Sequence, residues 1–331
     1  MKQIDSVLIA GAGAIGLLIA DTLYRHNPGG IRILASGERQ RRYRETGLWV
    51  NGERLDFSFA DGKTPGGNRT DLIIVACKHH HLDQVVTDIK PFVGGETVIL
   101  SLLNGITSEE IIGAVYGRER LPLAMIIGTD SQNTGNGTSF TRRGVVNFGD
   151  TDGRETERDR LIADYFTRAG LPFEYHLRDM KRAFWYKYMI NVGANQSSAL
   201  LHLPYACFKR DHPRGIDEAR RLLESAMREV IAIANRLGID LGDGDIENWY
   251  DTLAALNDCG YTSMCQDVLA GRKTEVELFG LTVSELGLKY GIPTPVNRTL
   301  ALALRAIEQS YGIVLSKKLD SPPDNFRQAS E

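Results

Sequence analysis

The sequence of residues 7–16 is VLIAGAGAIG, an apolar run of strand type that enters a turn with the spacing G-x-G-x-x-G. A helical pattern follows over Ile15–His26. In a dinucleotide-binding turn the first glycine permits the tight bend, the second admits a pyrophosphate to the backbone, and the third allows close helix–strand packing. The helix N-terminus then favours the phosphates. A tight turn without a ligand is the alternative. The turn residues predicted to bind the dinucleotide are Gly11, Ala12, Gly13, Ala14, Ile15 and Gly16.

The wider pattern predicts an α/β chain in two parts. The first 180 residues alternate strand-like and helix-like stretches, which is typical of βαβ units and a parallel sheet. From Met180 to Gln309 amphipathic stretches follow one another, which indicates a helical domain. We predict an amino-terminal Rossmann-type parallel-sheet domain over 1–178, an all-helical domain over 179–315 and a flexible tail over 316–331. The candidate strands are Ser6–Ala10, Ile31–Ala35, Leu72–Ala76, Thr97–Leu102, Ala124–Gly128 and Val145–Phe148.

Composition narrows the class of protein. The 331 residues carry a net charge of −3, so there is no excess of Lys and Arg for phosphate backbones, and nucleic-acid binding is not expected. Glycines interrupt the apolar stretches before they reach the roughly 20 residues of a membrane helix. The amino terminus lacks the pattern of a signal peptide, so we expect a cytoplasmic protein without a membrane partner. The four cysteines contain no C-x-x-C pair and are expected to be reduced thiols in the core.

The end of the second candidate strand bears on the choice of cofactor. An NAD site usually places an acidic residue there for the ribose 2′-hydroxyl. This chain has Ser36 instead, followed by Arg39, Arg41 and Arg42, whose guanidinium groups could hold a 2′-phosphate and so favour NADP(H). Two alternatives stay open: Glu38 could take the acidic role, and the arginines could form a solvated helix face.

A polar stripe stands out in the helical half. Lys187, Asn191 and Asn195 recur every four residues and Ser198 continues the line, so on a helix they form one slowly drifting stripe. The rest of this segment is aromatic and apolar, and buried polar residues need partners. A bound ligand could supply them. The alternative is a solvent-facing stripe on an amphipathic helix.

Together with the glycine turn, four motifs resemble the ketopantoate reductase family, also called 2-dehydropantoate 2-reductases, over roughly residues 5 to 310. Lys78 in IIVACKHH and Asn104 in LLNGI lie where a parallel sheet presents its carboxyl ends to a ligand. WYKYMINVGAN contains the family's Lys-x-x-x-Asn-x-x-x-Asn pattern, and TSMCQDVLAGRKTEVE contains its Ser-Met-x-Gln-Asp segment followed by Thr-Glu. Two positions depart from the family: Ser36 stands where it often has Arg, and Tyr205 where many members have another polar substrate ligand.

The resemblance implies NADPH-dependent reduction of 2-dehydropantoate to pantoate, a step of pantothenate and coenzyme A biosynthesis. It implies that Lys187 is the general acid and that Glu275 binds and orients the substrate. The implied substrate-binding set is Asn104, Asn191, Asn195 and Ser263. The predicted cofactor contacts beyond the glycine turn are Ser36, Arg39, Lys78, Asn104 and Glu275. A small 2-keto acid is the expected partner, with a homodimer as the weaker expectation.

Several alternatives remain open at the level of sequence. The chain could reduce a different 2-keto acid, or bind NADP without turnover. Ser263-x-x-Gln266 and Thr274-x-x-Glu277 also have the pattern of helix capping boxes. The run His79–His81 suggests a metal, but adjacent histidines cannot all face one point, and we predict a surface loop and no metal.

Overall fold

The computed structural model describes residues 3–63, 69–151, 153–175 and 179–311. The strands in these residues are β1 (Val7–Ala10), β2 (Ile31–Leu34), β3 (Leu48–Val50), β4 (Glu53–Leu55), β5 (Ser58–Ala60), β6 (Leu72–Val75), β7 (Val98–Ser101), β8 (Leu123–Ile127), β9 (Gln132–Asn133), β10 (Gly137–Ser139), β11 (Val145–Gly149) and β12 (Phe173–Tyr175). The α-helices are α1 (Ala14–His26), α2 (Gly37–Thr46), α3 (Leu82–Asp88), α4 (Ser108–Tyr116), α5 (Glu157–Ala169), α6 (Met180–Ile190), α7 (Gln196–Leu201), α8 (Asp217–Arg236), α9 (Asp243–Ala254), α10 (Ser263–Leu269), α11 (Thr282–Tyr290) and α12 (Pro295–Ser310).

A five-stranded parallel sheet in the order β5-β2-β1-β6-β7 forms the base of the amino-terminal half. Strands β1, β6 and β7 are buried along their whole length, as expected of strands covered on both faces. The predicted parallel sheet is therefore confirmed for these strands. Because β1 lies between β2 and β6, the glycine turn after β1 emerges beside the ends of both neighbours.

The fifth candidate strand is placed differently from the prediction. Strand β8 lies in a separate three-stranded sheet of order β12-β11-β8, where it pairs antiparallel with β11. The chain between these two strands runs through β9 and β10, which pair antiparallel, and not through a crossover helix, so it returns in the opposite direction. A four-stranded sheet, β4-β3-β10-β9, completes this half.

The three glycines of the turn have different surroundings. Gly11 has φ +123°, and a Cβ there would lie 2.6 Å from the Ala76 carbonyl carbon. A Cβ at Gly16 would lie 1.7 Å from the carbonyl oxygen of Gly11. At Gly13 nothing lies within 4 Å of the added carbon. The first and third glycines thus permit close packing, and the second leaves open space at the start of α1.

The carboxyl-terminal half is helical, and one helix departs from the regular pattern. The polar stripe does not lie on a continuous α-helix: a π-helical turn, Asn191–Asn195, separates α6 from α7. A π-turn holds more residues per turn, so side chains four apart stay closer to one line than on an α-helix. The Gln196 amide donates to the Val192 carbonyl (2.9 Å), within the irregular segment. Such turns are frequent at functional sites.

The remaining predictions about organisation have mixed outcomes. The predicted boundary after residue 178 adjoins 176–178 and the predicted tail is 316–331, all outside the described residues, so the domain division stays a prediction. Cys207 and Cys265 are buried and Cys77 is partly buried, but Cys259 is exposed, against the expectation of four core thiols. Among the described residues, no helix is both long and apolar enough to cross a membrane.

Substitutions in the glycine turn test the packing. Gly11→Ala and Gly16→Ala are each expected to lower the free energy of unfolding by more than about 2 kcal/mol, because the new carbon meets backbone atoms that cannot move away. Gly13→Ala is the matched control, with an expected cost below about 1 kcal/mol. Urea unfolding followed by circular dichroism measures all three. Equal losses for the three variants would contradict this account of the turn.

Candidate active site

One cleft, of about 2090 Å³, runs between the carboxyl ends of the parallel strands and the helical half. This volume exceeds the roughly 300–1,000 Å³ of a pocket for one small ligand, so the cleft has room for a dinucleotide and a small substrate together. Every predicted site residue lines it except Gly16, which packs beneath the turn. The structure therefore brings the predicted set into one place, although its residues are spread from 11 to 275 in the chain.

At the centre of the cleft a side-chain amide links a lysine to a carboxylate. Asn104, in the loop between β7 and α4, accepts a hydrogen bond from Lys187 Nζ at 3.4 Å and donates to Glu275 Oε2 at 3.1 Å. Glu275 is buried, and Lys187 projects from the last turn of α6. Lys187 and Glu275, which the family resemblance implies as general acid and orienting carboxylate, thus bind opposite ends of one asparagine amide.

A second set of ions adjoins this centre. Lys78, at the end of β6, lies 2.9 Å from Asp267 Oδ2 and 3.5 Å from Glu275 Oε2. Arg272 pairs with the other oxygen of Asp267 at 2.9 Å. Because Lys78 is in the loop that follows β6 and both carboxylates belong to the helical half, these pairs join the two halves across the cleft.

The asparagine stripe and the Ser263 segment also meet. Asn195 Oδ1 accepts from Ser263 Oγ at 3.2 Å and from the Met264 backbone N–H at 3.3 Å, and its amide donates to Asn191 Oδ1 at 3.2 Å. Asn195 is buried, so a solvent-facing stripe is the wrong interpretation for it.

The predicted capping boxes are not formed. The N-cap of α10 is Thr262, whose side chain accepts from the Cys265 N–H, and this leaves the Ser263 hydroxyl to face Asn195. In the second segment Thr274 accepts from the Val276 N–H and donates to Glu308, outside the capping-box pattern. Thr262 caps α10 instead of Ser263, because an N-cap residue has extended backbone and Thr262 does.

Burial and charge set the protonation of the two lysines differently. Burial lowers the pKa of Lys187 to about 8, against the carboxylates of Glu275 and Glu109, which raise it. For Lys78 burial also lowers the pKa, but Glu275 and Asp267 outweigh it and hold the pKa above its ordinary value. Lys187 can therefore release a proton near neutral pH, whereas Lys78 remains a fixed cation.

The other end of the cleft suits a dinucleotide phosphate. Helix α1 begins at Ala14 with no side-chain cap and no acidic residue in its first turn, so its free N–H groups face the open space at Gly13. Ser36 is the N-cap of α2 and its side chain makes no capping bond. Of the three arginines beyond it, Arg39 and Arg42 line the cleft. Glu38 lines it too, so its competing role stays open.

His80 and His81 are exposed, in keeping with the predicted surface position, and their turn lies at the edge of the cleft. His79–His81 form a short 3₁₀ turn after Lys78, and His80 and His81 line the cofactor end. Burial lowers the pKa of His81, and the charges of Arg39 and Lys273 lower it further. Within the described ranges no group of three His, Cys, Asp or Glu side chains is placed to hold a metal ion.

Sequence reasoning assigned no role to several residues that line the cleft. Asp267 belongs to the Ser-Met-x-Gln-Asp segment, and its place in that motif could have marked it as a site residue. The aromatic residues carried no such signal, because their spacing is typical of core positions. The aromatic side chains that line the helical end of the cleft are Tyr186, Tyr205, Trp249 and Tyr261. Tyr205 was noted as a departure, and its ring packs against Gly260.

Comparison with known proteins agrees with this geometry. The family model described as Ketopantoate reductase PanE/ApbA matches residues 7–153, and the one described as Ketopantoate reductase PanE/ApbA C terminal matches residues 179–308. A 2-dehydropantoate 2-reductase of Aquifex aeolicus is 26% identical over 309 residues, which cover 91% of this chain and 96% of the relative.

Two solved structures show the same fold. D-mandelate dehydrogenase with NADH and anilino(oxo)acetate has a TM-score of 0.82 at 22% identity, over 93% of this chain and 100% of that one. A dimeric ketopantoate reductase from Staphylococcus aureus has a TM-score of 0.76 at 21% identity, over the same shares of the two chains.

The Rossmann-type sheet and its cleft define the class, an oxidoreductase of dinucleotide-binding fold. Within that class, the chain belongs to the ketopantoate reductase family. The resemblance found in the sequence motifs is thereby confirmed.

The ion pairs across the cleft can be tested by stability. Asp267→Asn is expected to lower the free energy of unfolding by about 1–3 kcal/mol, because a buried carboxylate paired with Lys78 and Arg272 becomes a neutral amide facing two cations. Glu277→Gln is the control: its pair with Lys273 is exposed, and the expected loss is below about 0.5 kcal/mol. Urea unfolding measures both. Comparable losses in the two variants would show that the ion pairs of Asp267 stabilise the fold no more than an exposed pair does.

Proposed function

We propose that this protein reduces 2-dehydropantoate to pantoate with NADPH. The observation that carries the proposal is the Lys187–Asn104–Glu275 unit, in which a proton donor with a pKa of about 8 and a buried carboxylate face one cleft. A protein that only binds NADP would have no use for such a donor. The family membership and the Aquifex aeolicus relative support the same reaction.

The residues that would hold the cofactor fit it. The open space at Gly13 and the uncapped start of α1 suit the pyrophosphate, and Lys78 is a fixed cation beside them. NADPH, when bound, supplies the hydride for the keto carbon.

The chain itself handles the proton and the position of the substrate. As negative charge develops on the keto oxygen, the Lys187 ammonium stabilises it and donates a proton to it. Glu275 accepts a hydrogen bond from the 4-hydroxyl of the substrate. Asn191, Asn195 and Ser263 supply further amide and hydroxyl groups along the same wall of the cleft. A substrate analogue without the 4-hydroxyl, such as ketoisovalerate, cannot donate this hydrogen bond to Glu275 and is therefore a poor substrate.

A second candidate substrate has one specific observation in its favour. Tyr205 replaces the polar residue common in the family and lies among three other aromatic side chains at the helical end of the cleft. An aromatic wall suits a 2-keto acid with a planar apolar side chain, since ring faces pack on ring faces. The reaction and the roles of Lys187 and Glu275 would be the same.

The reaction is tested by NADPH oxidation at 340 nm with 2-dehydropantoate, ketoisovalerate and phenylglyoxylate. We expect 2-dehydropantoate to give the highest kcat/KM. With it, kcat/KM falls as the pH rises through about 8, because Lys187 loses the proton it must donate. Lys187→Ala is expected to lower kcat at least about 100-fold. Preference for phenylglyoxylate would establish the second candidate, and wild-type kcat in Lys187→Ala would remove Lys187 as the acid.

Cofactor choice is tested by the arginines of α2. The double variant Arg39→Ala/Arg42→Ala is expected to raise the KM for NADPH about tenfold or more and to leave the KM for NADH nearly unchanged, because only NADPH carries the 2′-phosphate. Arg41→Ala removes the same charge from the same helix and is the control, with little change expected. Equal wild-type kcat/KM with the two cofactors would contradict the proposed NADPH preference.

The proposal also includes a homodimer, supported by the dimeric Staphylococcus aureus relative.

A further inference from the structure

A buried glutamate lies beneath the Asn104 loop and has no part in the reaction described above. Glu109 is in the first turn of α4 and is 2% exposed. Its Oε2 accepts a hydrogen bond from Ser108 Oγ at 2.9 Å, whereas its Oε1 is buried and has no partner among the described residues. Burying a carboxylate oxygen without a hydrogen bond costs free energy of folding, so a glutamate at this position suggests a functional role.

The hydrogen bonds of Glu109 connect it to the loop that carries Asn104. Strand β7 ends at Ser101 and helix α4 begins at Ser108, and the hydroxyls of these two buried serines lie 2.8 Å apart. Ser108 in turn donates to Glu109. This chain of contacts closes the base of the loop, and Asn104 at its top accepts from Lys187. The glutamate is thus coupled through the loop to the asparagine that binds the lysine.

A second connection runs through the sheet to the helix of Lys187. The backbone N–H of Ala124 in β8 acts on the Glu109 carboxylate and lowers its pKa. Strand β8 packs on α6 through Leu123 and Met125, which form a small core with Met180 and Phe184. Glu109 is therefore linked to the base of the Asn104 loop and to the strand that packs on α6.

The charges around the two groups are few. The negative charges of Glu275 and Glu109 both favour the protonated form of Lys187, against the effect of burial. Burial raises the pKa of Glu109 to about 7, although Ser108, the Ala124 N–H and the cation of Arg118 each lower it. Above pH 7 the glutamate is thus mainly an anion, in the range where Lys187 would otherwise lose its proton.

We propose that Glu109 is a positioning residue for Lys187, whose buried negative charge keeps the lysine ammonium protonated beneath the Asn104 loop. It does not touch the substrate. Its effect is to extend the activity of the acid toward higher pH. The inference rests on the proposed role of Lys187 as the proton donor.

The decisive test is the ionisation of Lys187 itself, which requires no substrate. The protein is labelled with ¹³C at lysine Cε, and the Lys187 signal is identified by its absence in Lys187→Arg. In Glu109→Gln the titration midpoint of Lys187 is expected to fall by roughly one pH unit. Glu110→Gln is the matched control, because Glu110 is the next residue on the same helix but is exposed, and no change is expected.

The same variants are compared in kcat/KM as a function of pH. For Glu109→Gln we expect values close to wild type at pH 6 and roughly tenfold lower at pH 9, the ratio that follows from a midpoint one unit lower. A purely structural role would lower activity at all pH values alike. An unchanged Lys187 midpoint in Glu109→Gln, or an equal change in Glu110→Gln, would overturn the inference.

Two further variants keep the test valid if Glu109→Gln does not fold. Ser108→Ala removes a donor to the carboxylate, leaves Glu109 partly neutral, and is expected to move the Lys187 midpoint downward by a smaller amount. Glu109→Asp is expected to restore part of the wild-type midpoint. If Ser108→Ala does not lower the midpoint, the inference is wrong. Absence of 2-keto acid reduction together with a lowered midpoint in Glu109→Gln would refute the proposed function and leave the electrostatic coupling in place.

Discussion

The structure depends on the pairing of two buried carboxylates with a partly exposed lysine across the cleft between sheet and helices. Lys78 comes from the end of a sheet strand, and its partners Asp267 and Glu275 come from the helical half. Asn104 extends the same chain of contacts from Glu275 to Lys187. An unpaired charge in such a place would cost several kcal/mol, so the two halves of the chain can stay together only in an arrangement that satisfies all of these groups.

This arrangement explains how two lysines in one cleft come to differ. Lys78 has two carboxylates within 3.5 Å and keeps its proton. Among the described residues Lys187 hydrogen-bonds only to a neutral amide, and its carboxylates act from farther away, so burial has the larger effect on its pKa. One lysine is therefore suited to hold an anion and the other to give up a proton. The difference arises from the distance of the partners and not from the type of residue.

The predictions from sequence were most accurate where the determinants are local. The glycine turn, the strand after it and the start of α1 depend on neighbouring residues, and the structure places them as predicted. Strand β8 was assigned to the wrong sheet, because pairing is decided by a hairpin that the sequence showed only as a cluster of turn residues. The π-turn at Asn191–Asn195 was also missed, since a spacing of four residues is compatible with a regular α-helix.

By itself the sequence determined the parallel sheet, the phosphate-binding turn and the residue types of the candidate site, because these follow from periodicity, from glycine's freedom at φ +123° and from motif spacing. Only the tertiary structure decided which charges meet. Glu109 and Glu110 are identical neighbours in the sequence, yet one is buried under the Asn104 loop and the other is exposed. Burial and distance set the energy of a charge, and both are properties of the folded chain.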